Sequence, residues 1–129
     1  MDRPPIEFIK ASAPLPFSAA VRVGDVLYLS GQMGMRPDGT LVEGFDAQIR
    51  QLMDNISNTL QGVGLSMSSV FKATIMLGDM SRWSDFNAIY LEYFDPERLP
   101  SRSAFGAGGL AMGAVAEVEC WAYAPTSSE

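Results

Sequence analysis

The feature that most limits what this chain can fold into is the strict alternation running from Ala114 to Ala124. Ala116, Val118, Cys120 and Ala122 fall on one side of an extended segment; Glu117, Glu119, Trp121 and Tyr123 fall on the other. A face of small residues suits the close packing of helices onto a sheet. The opposite face mixes two acids with two aromatics, so the two sides of this strand meet different surroundings.

The helices are legible upstream. From Phe45 to Val63, the residues Ile49, Leu52, Met53, Ile56, Leu60 and Val63 recur at the helical period, and Gly62 and Gly64 supply a stop. A second helix is predicted from about Trp83 to Phe94, ending before Asp95-Pro96 and carrying Trp83, Phe86, Tyr90 and Phe94 on one face. Asn87 lies three residues from Tyr90 and four from Trp83, which sets a polar amide on that apolar face.

The strands follow from other signals. Val70–Leu77 is β-branched and apolar and reads as a buried strand. Ala19–Arg22 and Val26–Ser30 flank Gly24-Asp25, a pair suited to a tight hairpin turn. Pro37-Asp38-Gly39 marks a second turn, and Ser103–Gly106 a short strand leading into a glycine-rich loop. No repeat or linker interrupts residues 1–129, and only Pro125 to Glu129 reads as a frayed tail. The order predicts one α+β domain, a mixed sheet with two helices on one side. The second sheet face is then uncovered, which is a physical reason to oligomerise.

Composition excludes several functions. Fifteen acids against nine bases give a formal charge of −6, with Lys10 and Lys72 as the two lysines and no basic run. A nucleic-acid partner is therefore not expected, because counterion release needs a positive footprint. The single Cys120 rules out an internal disulfide. No signal segment and no apolar run of ~20 residues is visible, so the expectation is a cytoplasmic protein with no membrane partner. Histidine is absent, which removes a Ser-His-Asp triad, a Cys-His pair and an HExxH zinc site. Asp46, Asp79 and Asp85 show no metal-ligand spacing and read as caps or surface. Acid–base chemistry is left to carboxylates, arginine, hydroxyls, backbone groups or water.

A set of short motifs in order carries more specific information. Leu15-Pro16-Phe17-Ser18 is followed by Ser30-Gly31-Gln32, then by Gln48 with Asn55, and by Asn87 with Tyr90 and Phe94. Pro100-Ser101-Arg102-Ser103 and Glu117-Val118-Glu119 complete the series, and Arg102 and Glu117 stand 15 residues apart. In these motifs and that spacing the chain resembles the reactive-intermediate deaminase (RidA/YjgF, endoribonuclease L-PSP-type) family from near its N-terminus to Ala124.

The resemblance implies a chorismate-mutase-like fold and a homotrimer with clefts between subunits. It also implies cofactor-free hydrolysis of 2-imino acids, such as those derived from 2-aminoacrylate and 2-aminocrotonate, to 2-keto acids and ammonia. Carried over residue by residue, Arg102 holds the substrate carboxylate and Glu117 positions or activates water. Ser30 and Gly31 offer polar contacts, Asn87 organises the cleft, and Phe17 supplies an aromatic wall. A guanidinium matches a carboxylate with two prongs, and a carboxyl group among aromatics has the raised pKa that acid–base work calls for. The chain departs from the family at Phe17, where a tyrosine is usual, at Ala104, where some members carry cysteine, and at Leu110-Ala111. Three alternatives stay open: a non-catalytic member that binds small carboxylates or regulates a partner enzyme, a nuclease or translation inhibitor, against which the charge balance counts, and a hydrolase of related carbamate or enamine compounds, which differs only in substrate.

Overall fold

The computed structural model describes residues 4–125. Six strands form one sheet: β1 (Ile6–Ile9), β2 (Ala20–Val23), β3 (Val26–Leu29), β4 (Val70–Leu77), β5 (Ser101–Gly106) and β6 (Ala116–Tyr123). Their order across the sheet is β1-β2-β3-β6-β4-β5, with β4 and β5 parallel and every other neighbouring pair antiparallel. Two helices, α1 (Phe45–Gln61) and α2 (Trp83–Tyr90), pack on one face. This is the α+β arrangement that the alternation and periodicity predict.

The turns are built as the sequence chemistry demands. Gly24 opens the β2–β3 turn at φ +59°, the left-handed value required at the first central position of a type II′ hairpin turn. Helix α1 closes through the Leu65 N–H bonded to the Leu60 carbonyl at 2.9 Å and the Gly64 N–H bonded to the Gln61 carbonyl at 3.1 Å. Gly64 takes φ +81° there, whereas Gly62 keeps a right-handed φ of −62°, so the stop is Gly64 alone.

Most element ends differ from expectation by a residue or two, and three differences matter here. The second helix ends at Tyr90 and continues as a 3-10 turn over Leu91–Tyr93, which still delivers Phe94 into the core. Strand β5 starts at Ser101 rather than Ser103, because it pairs with β4 from Lys72 onward. Strand β1 has no counterpart in the sequence reading. It is four residues long and mostly exposed on both sides, so its partner β2, not its own pattern, makes it a strand. The frayed tail predicted for Pro125–Glu129 lies, after Pro125, outside the described residues.

The core sits between the helices and the sheet. Ile49, Leu52, Met53 and Ile56 of α1 and Phe86 of α2 are fully buried over Ala73, Ile75, Val118 and Cys120. Each large side chain contributes about 1.5–3 kcal/mol on burial. Ala116, Cys120 and Ala122 are likewise buried, as a face selected for close helix approach requires. At the sheet margin, Arg22 is 4% exposed and donates to Glu7 Oε1 at 2.7 and 3.0 Å and to the Gly24 carbonyl at 2.7 Å. Those charge-assisted bonds fasten β1 to the hairpin.

The opposite sheet face has no helix over it. It presents Phe8, Tyr28, Phe71, Phe105 and Tyr123, each more than a third exposed, around Trp121. Tyr28 meets Trp121 edge-on at 5.2 Å, and the Lys72 ammonium lies 4.9 Å from the Trp121 ring centre. These side chains give the sheet an exposed, largely apolar surface on the side away from the helices.

Candidate functional site

Glu117 projects from β6 onto the open face, directly across from Met76 of β4. Its carboxylate lies against the backbone of Gly31, the second residue beyond β3. A Cβ on Gly31 would overlap Glu117 Oε2 and stand 2.9 Å from its Cδ, so only glycine leaves room for the carboxylate. Partial burial, and after it the charge of Glu119, raises the Glu117 carboxyl above its ordinary value. Glu119 shares that face two residues on, about 7 Å along the strand.

Two α1 residues of the motif series brace this region, Asn55 on the segment after β3 and Gln48 on the residue leading into β6. Asn55 donates from Nδ2 to the Met33 and Met35 carbonyls at 3.2 and 2.9 Å. Gln48 is buried and its Oε1 accepts from the Val115 N–H at 2.9 Å. Gly34 lies so close to the α1 backbone that a Cβ there would stand 2.7 Å from the Gln48 Cα. The segment after β3 is thereby docked on α1, and β6 is reached through the Gln32–Val118 bridge.

Arg102 is built differently. It stands in β5 opposite Ala73, whose side faces the helices. Its guanidinium carbon lies 4.6 Å from the Trp83 ring centre and 4.9 Å from that of Tyr90, both on α2. Cation–π contact of this sort contributes about 0.5–2 kcal/mol and holds the planar group in place. Among the described residues no carboxylate pairs with it. On the same helix Asn87 Oδ1 is buried without a hydrogen-bond partner, and the buried Tyr90 hydroxyl has the Arg102 guanidinium as the one donor that bears on it. Burial pushes the Tyr90 phenol up to about 12, against the nearby Arg102 charge.

The predicted site residues therefore fall into two groups. Arg102 and Asn87 gather on the helix side, and Glu117, Gly31 and Ser30 at or beside the open face. Within one chain the sheet lies between Arg102 and Glu117. Ser30 Oγ donates to the Ser18 carbonyl at 2.6 Å, so its proton ties the Phe17 segment to the end of β3. Phe17 is half exposed and lines an open pocket of ≈ 360 Å³ with Lys10, Leu15 and Ser18. Trp83 and Tyr90 were not expected as site residues, although their spacing with Asn87 on one helix face is the signal that finds them. Cys120 is buried, and its thiol is pushed up to about 12, which makes it an inert core group. Among the described residues no cluster of three or more His, Cys, Asp or Glu is placed to hold a metal ion, and no helix is long and apolar enough to cross a membrane.

The family model described as Endoribonuclease L-PSP matches residues 8–124, which takes in both groups of site residues. The chain belongs to this family, the RidA/YjgF group. Among this Rid-family chain's relatives, a Bos taurus protein named 2-iminobutanoate/2-iminopropanoate deaminase is 38% identical over 117 residues, covering 88% of this chain and 85% of the relative. The Arabidopsis thaliana protein named Reactive Intermediate Deaminase A, chloroplastic, is 38% identical over 114 residues, covering 86% of this chain and 60% of the relative. The crystal structure of RidA from the Antarctic bacterium Psychrobacter sp. PAMC 21119 superposes with a TM-score of 0.82 at 34% identity, covering 94% of this chain and 99% of that one. The six-stranded sheet with two helices is thus the family's fold in this chain.

Proposed function

We propose that this protein hydrolyses 2-imino acids to 2-keto acids and ammonia, at a centre formed between two copies of the chain. The observation that carries the reading is Arg102: a guanidinium seated on two aromatic rings of α2, with no carboxylate partner among the described residues. Such a group is prepared for a small carboxylate. The deaminase names of relatives at 38% identity supply the substrate class.

In this reading Arg102 grips the carboxylate and fixes the neighbouring C=N. Water adds to the carbon, the nitrogen takes up protons, and the carbinolamine collapses to keto acid and ammonia. Glu117, with its raised pKa, is the acid–base group, and one copy brings it opposite the Arg102 of a second copy. General acid–base help of about 10²–10⁴-fold suffices for so labile a bond. The apolar open face is what self-association covers, and a homotrimer is the assembly that the resemblance implies. No nucleic acid enters this reading, since the chain carries a net charge of −6.

The test couples a threonine dehydratase to keto-acid release, with and without this protein. Light scattering should give a particle of about 42 kDa, three copies of the 14.0 kDa chain. Arg102→Ala should lower kcat/KM by about 10- to 10²-fold, and Arg102→Lys should recover little. Mixing the Arg102→Ala and Glu117→Gln chains under conditions of subunit exchange should restore about a quarter of the sites, because each intact site draws one residue from each variant. No recovery would exclude a centre shared between copies. A second reading, carboxylate binding without catalysis, is favoured by the missing hydroxyl at Phe17. It prevails if wild type binds keto acids but does not accelerate their release.

A further inference from the structure

The open pocket beside Phe17 is larger than the smallest 2-imino acids need. It measures ≈ 360 Å³, and Phe17 and Leu15 in its wall are each half exposed, so a ligand can reach both. The methyl or ethyl side chain of such a substrate fills one or two water-sized volumes of about 30 Å³ and would leave most of this space empty. The pocket also adjoins the segment that faces Glu117. Ser18 in its wall accepts a hydrogen bond from Ser30 Oγ at 2.6 Å, and Ser30 precedes Gly31, against which the Glu117 carboxylate lies. Its lining combines carbon surface with a single charge. Ala11, Ala13, Leu15 and Phe17 are apolar, no acid lines the pocket, and Lys10 is its cation. Lys10 is exposed, and among the described residues no carboxylate pairs with it. The nearest acid in sequence, Glu7, is bonded by Arg22 instead.

We propose that this pocket receives the side chain of the imino acid, and that Lys10 selects side chains that end in a carboxylate. The substrate class is then a dicarboxylic 2-imino acid. Arg102 of one copy holds the carboxylate next to the C=N bond, and Glu117 of the other serves the reacting carbon. The carbon stem lies along Leu15 and Phe17, and the distal carboxylate meets the Lys10 ammonium. A chain of net charge −6 repels a second carboxylate overall, so a local ammonium decides whether it is accepted. The inference rests on the reading of Arg102 and Glu117 as a 2-imino-acid centre and adds the side-chain half of the substrate.

A comparison of two substrates tests this. An L-amino-acid oxidase generates 2-iminoglutarate from glutamate and 2-iminobutanoate from 2-aminobutyrate, and kcat/KM for each is measured with wild type, Lys10→Glu and Lys10→Arg. Binding of the products, 2-oxoglutarate and 2-oxobutanoate, is measured by calorimetry on the same proteins. The expected result is a larger kcat/KM and tighter product binding for the dicarboxylic compounds in wild type. Lys10→Glu should lower that preference about 3- to 20-fold, because a repelling charge replaces an exposed ammonium, and Lys10→Arg should keep it. Raising the salt concentration should shrink the preference, which a purely steric fit would not show. A preference unchanged in Lys10→Glu would overturn the proposal. Hydrolysis of 2-iminobutanoate in preference to 2-iminoglutarate would overturn it too, while leaving the deaminase reading in place. A Lys10-dependent preference in product binding without hydrolysis of either imine would support the pocket and overturn the deaminase reading.

Discussion

Two glycines three residues apart, Gly31 and Gly34, separate the site from the scaffold that supports it. A methyl group on Gly31 would overlap Glu117 Oε2 and approach Cδ to 2.9 Å and Cγ to 3.1 Å. Ordinary contact needs the carboxyl carbon about half an ångström further away, and the oxygen more. The backbone accepts the change, because φ at Gly31 lies outside the left-handed region, and the nearest obstacle is the free end of a side chain. Gly31→Ala should therefore fold and push the carboxylate aside, at about 0.5–1.5 kcal/mol if Glu117 leaves its rotamer. A displacement near 1 Å at a reacting group costs on the order of 10²-fold in rate. The expected outcome is a kcat lowered by about 10- to 10²-fold with a melting temperature within about 5 °C of wild type.

Gly34→Ala should do the reverse. Its methyl would meet the α1 backbone, 2.7 Å from the Gln48 Cα and 2.9 Å from its carbonyl carbon, and a helix backbone does not swing away. Overpacking of this kind costs about 1–3 kcal/mol, or a fall of roughly 3–15 °C in melting temperature for a chain of this size. Keto-acid release in the dehydratase-coupled assay and thermal unfolding by circular dichroism are measured on both variants. Full kcat in Gly31→Ala would show that the position of the Glu117 carboxylate is irrelevant to the reaction. A large loss of stability in Gly31→Ala would show that the contact holds the fold rather than the site.

Glu117→Gln should lower kcat by about 10²–10⁴-fold with keto-acid binding nearly intact, and Glu119→Gln should change kcat little. Because the Glu119 charge helps to raise the Glu117 carboxyl, Glu119→Gln should move the Glu117-controlled inflection of the pH–rate profile to lower pH; a shift upward would refute that coupling. Trp83→Leu should raise KM about 3- to 10-fold by freeing the Arg102 guanidinium, and Trp83→Phe should restore most of it; equal effects in steady-state kinetics would exclude an aromatic seat. Single-stranded RNA should show no binding at physiological salt in a fluorescence titration, and tight binding with a steep salt slope would favour the nuclease reading.

Local chemistry made much of the fold legible. The period of Ile49 to Leu60 sets the buried face of α1, the alternation in β6 separates Val118 and Cys120 from Glu117 and Glu119, and the Gly24 turn builds the hairpin. Each of these depends only on neighbours a few residues away, so the sequence alone determines it. Strand β1 escaped because a four-residue segment exposed on both sides has no pattern of its own, and its identity comes from pairing with β2.

The motifs likewise named Arg102, Asn87, Gly31 and Glu117, but not how they lie relative to one another. Alternation assigns a side chain to one side of its own strand; it does not say which side matches which in another strand. That is decided by register: Arg102 pairs with Ala73, which faces the helices, and Glu117 with Met76, which faces away. A shift of one residue in either pairing would have put both on one face. The seat that Trp83 and Tyr90 make for Arg102 depends on the same pairing, because only the docked α2 brings those rings over β5. The sequence by itself singled out Arg102, Asn87, Gly31 and Glu117 as candidates. Only the tertiary structure decided that one chain holds them on opposite sides of its sheet, because strand register is set by long-range pairing and helix packing, not by any local signal.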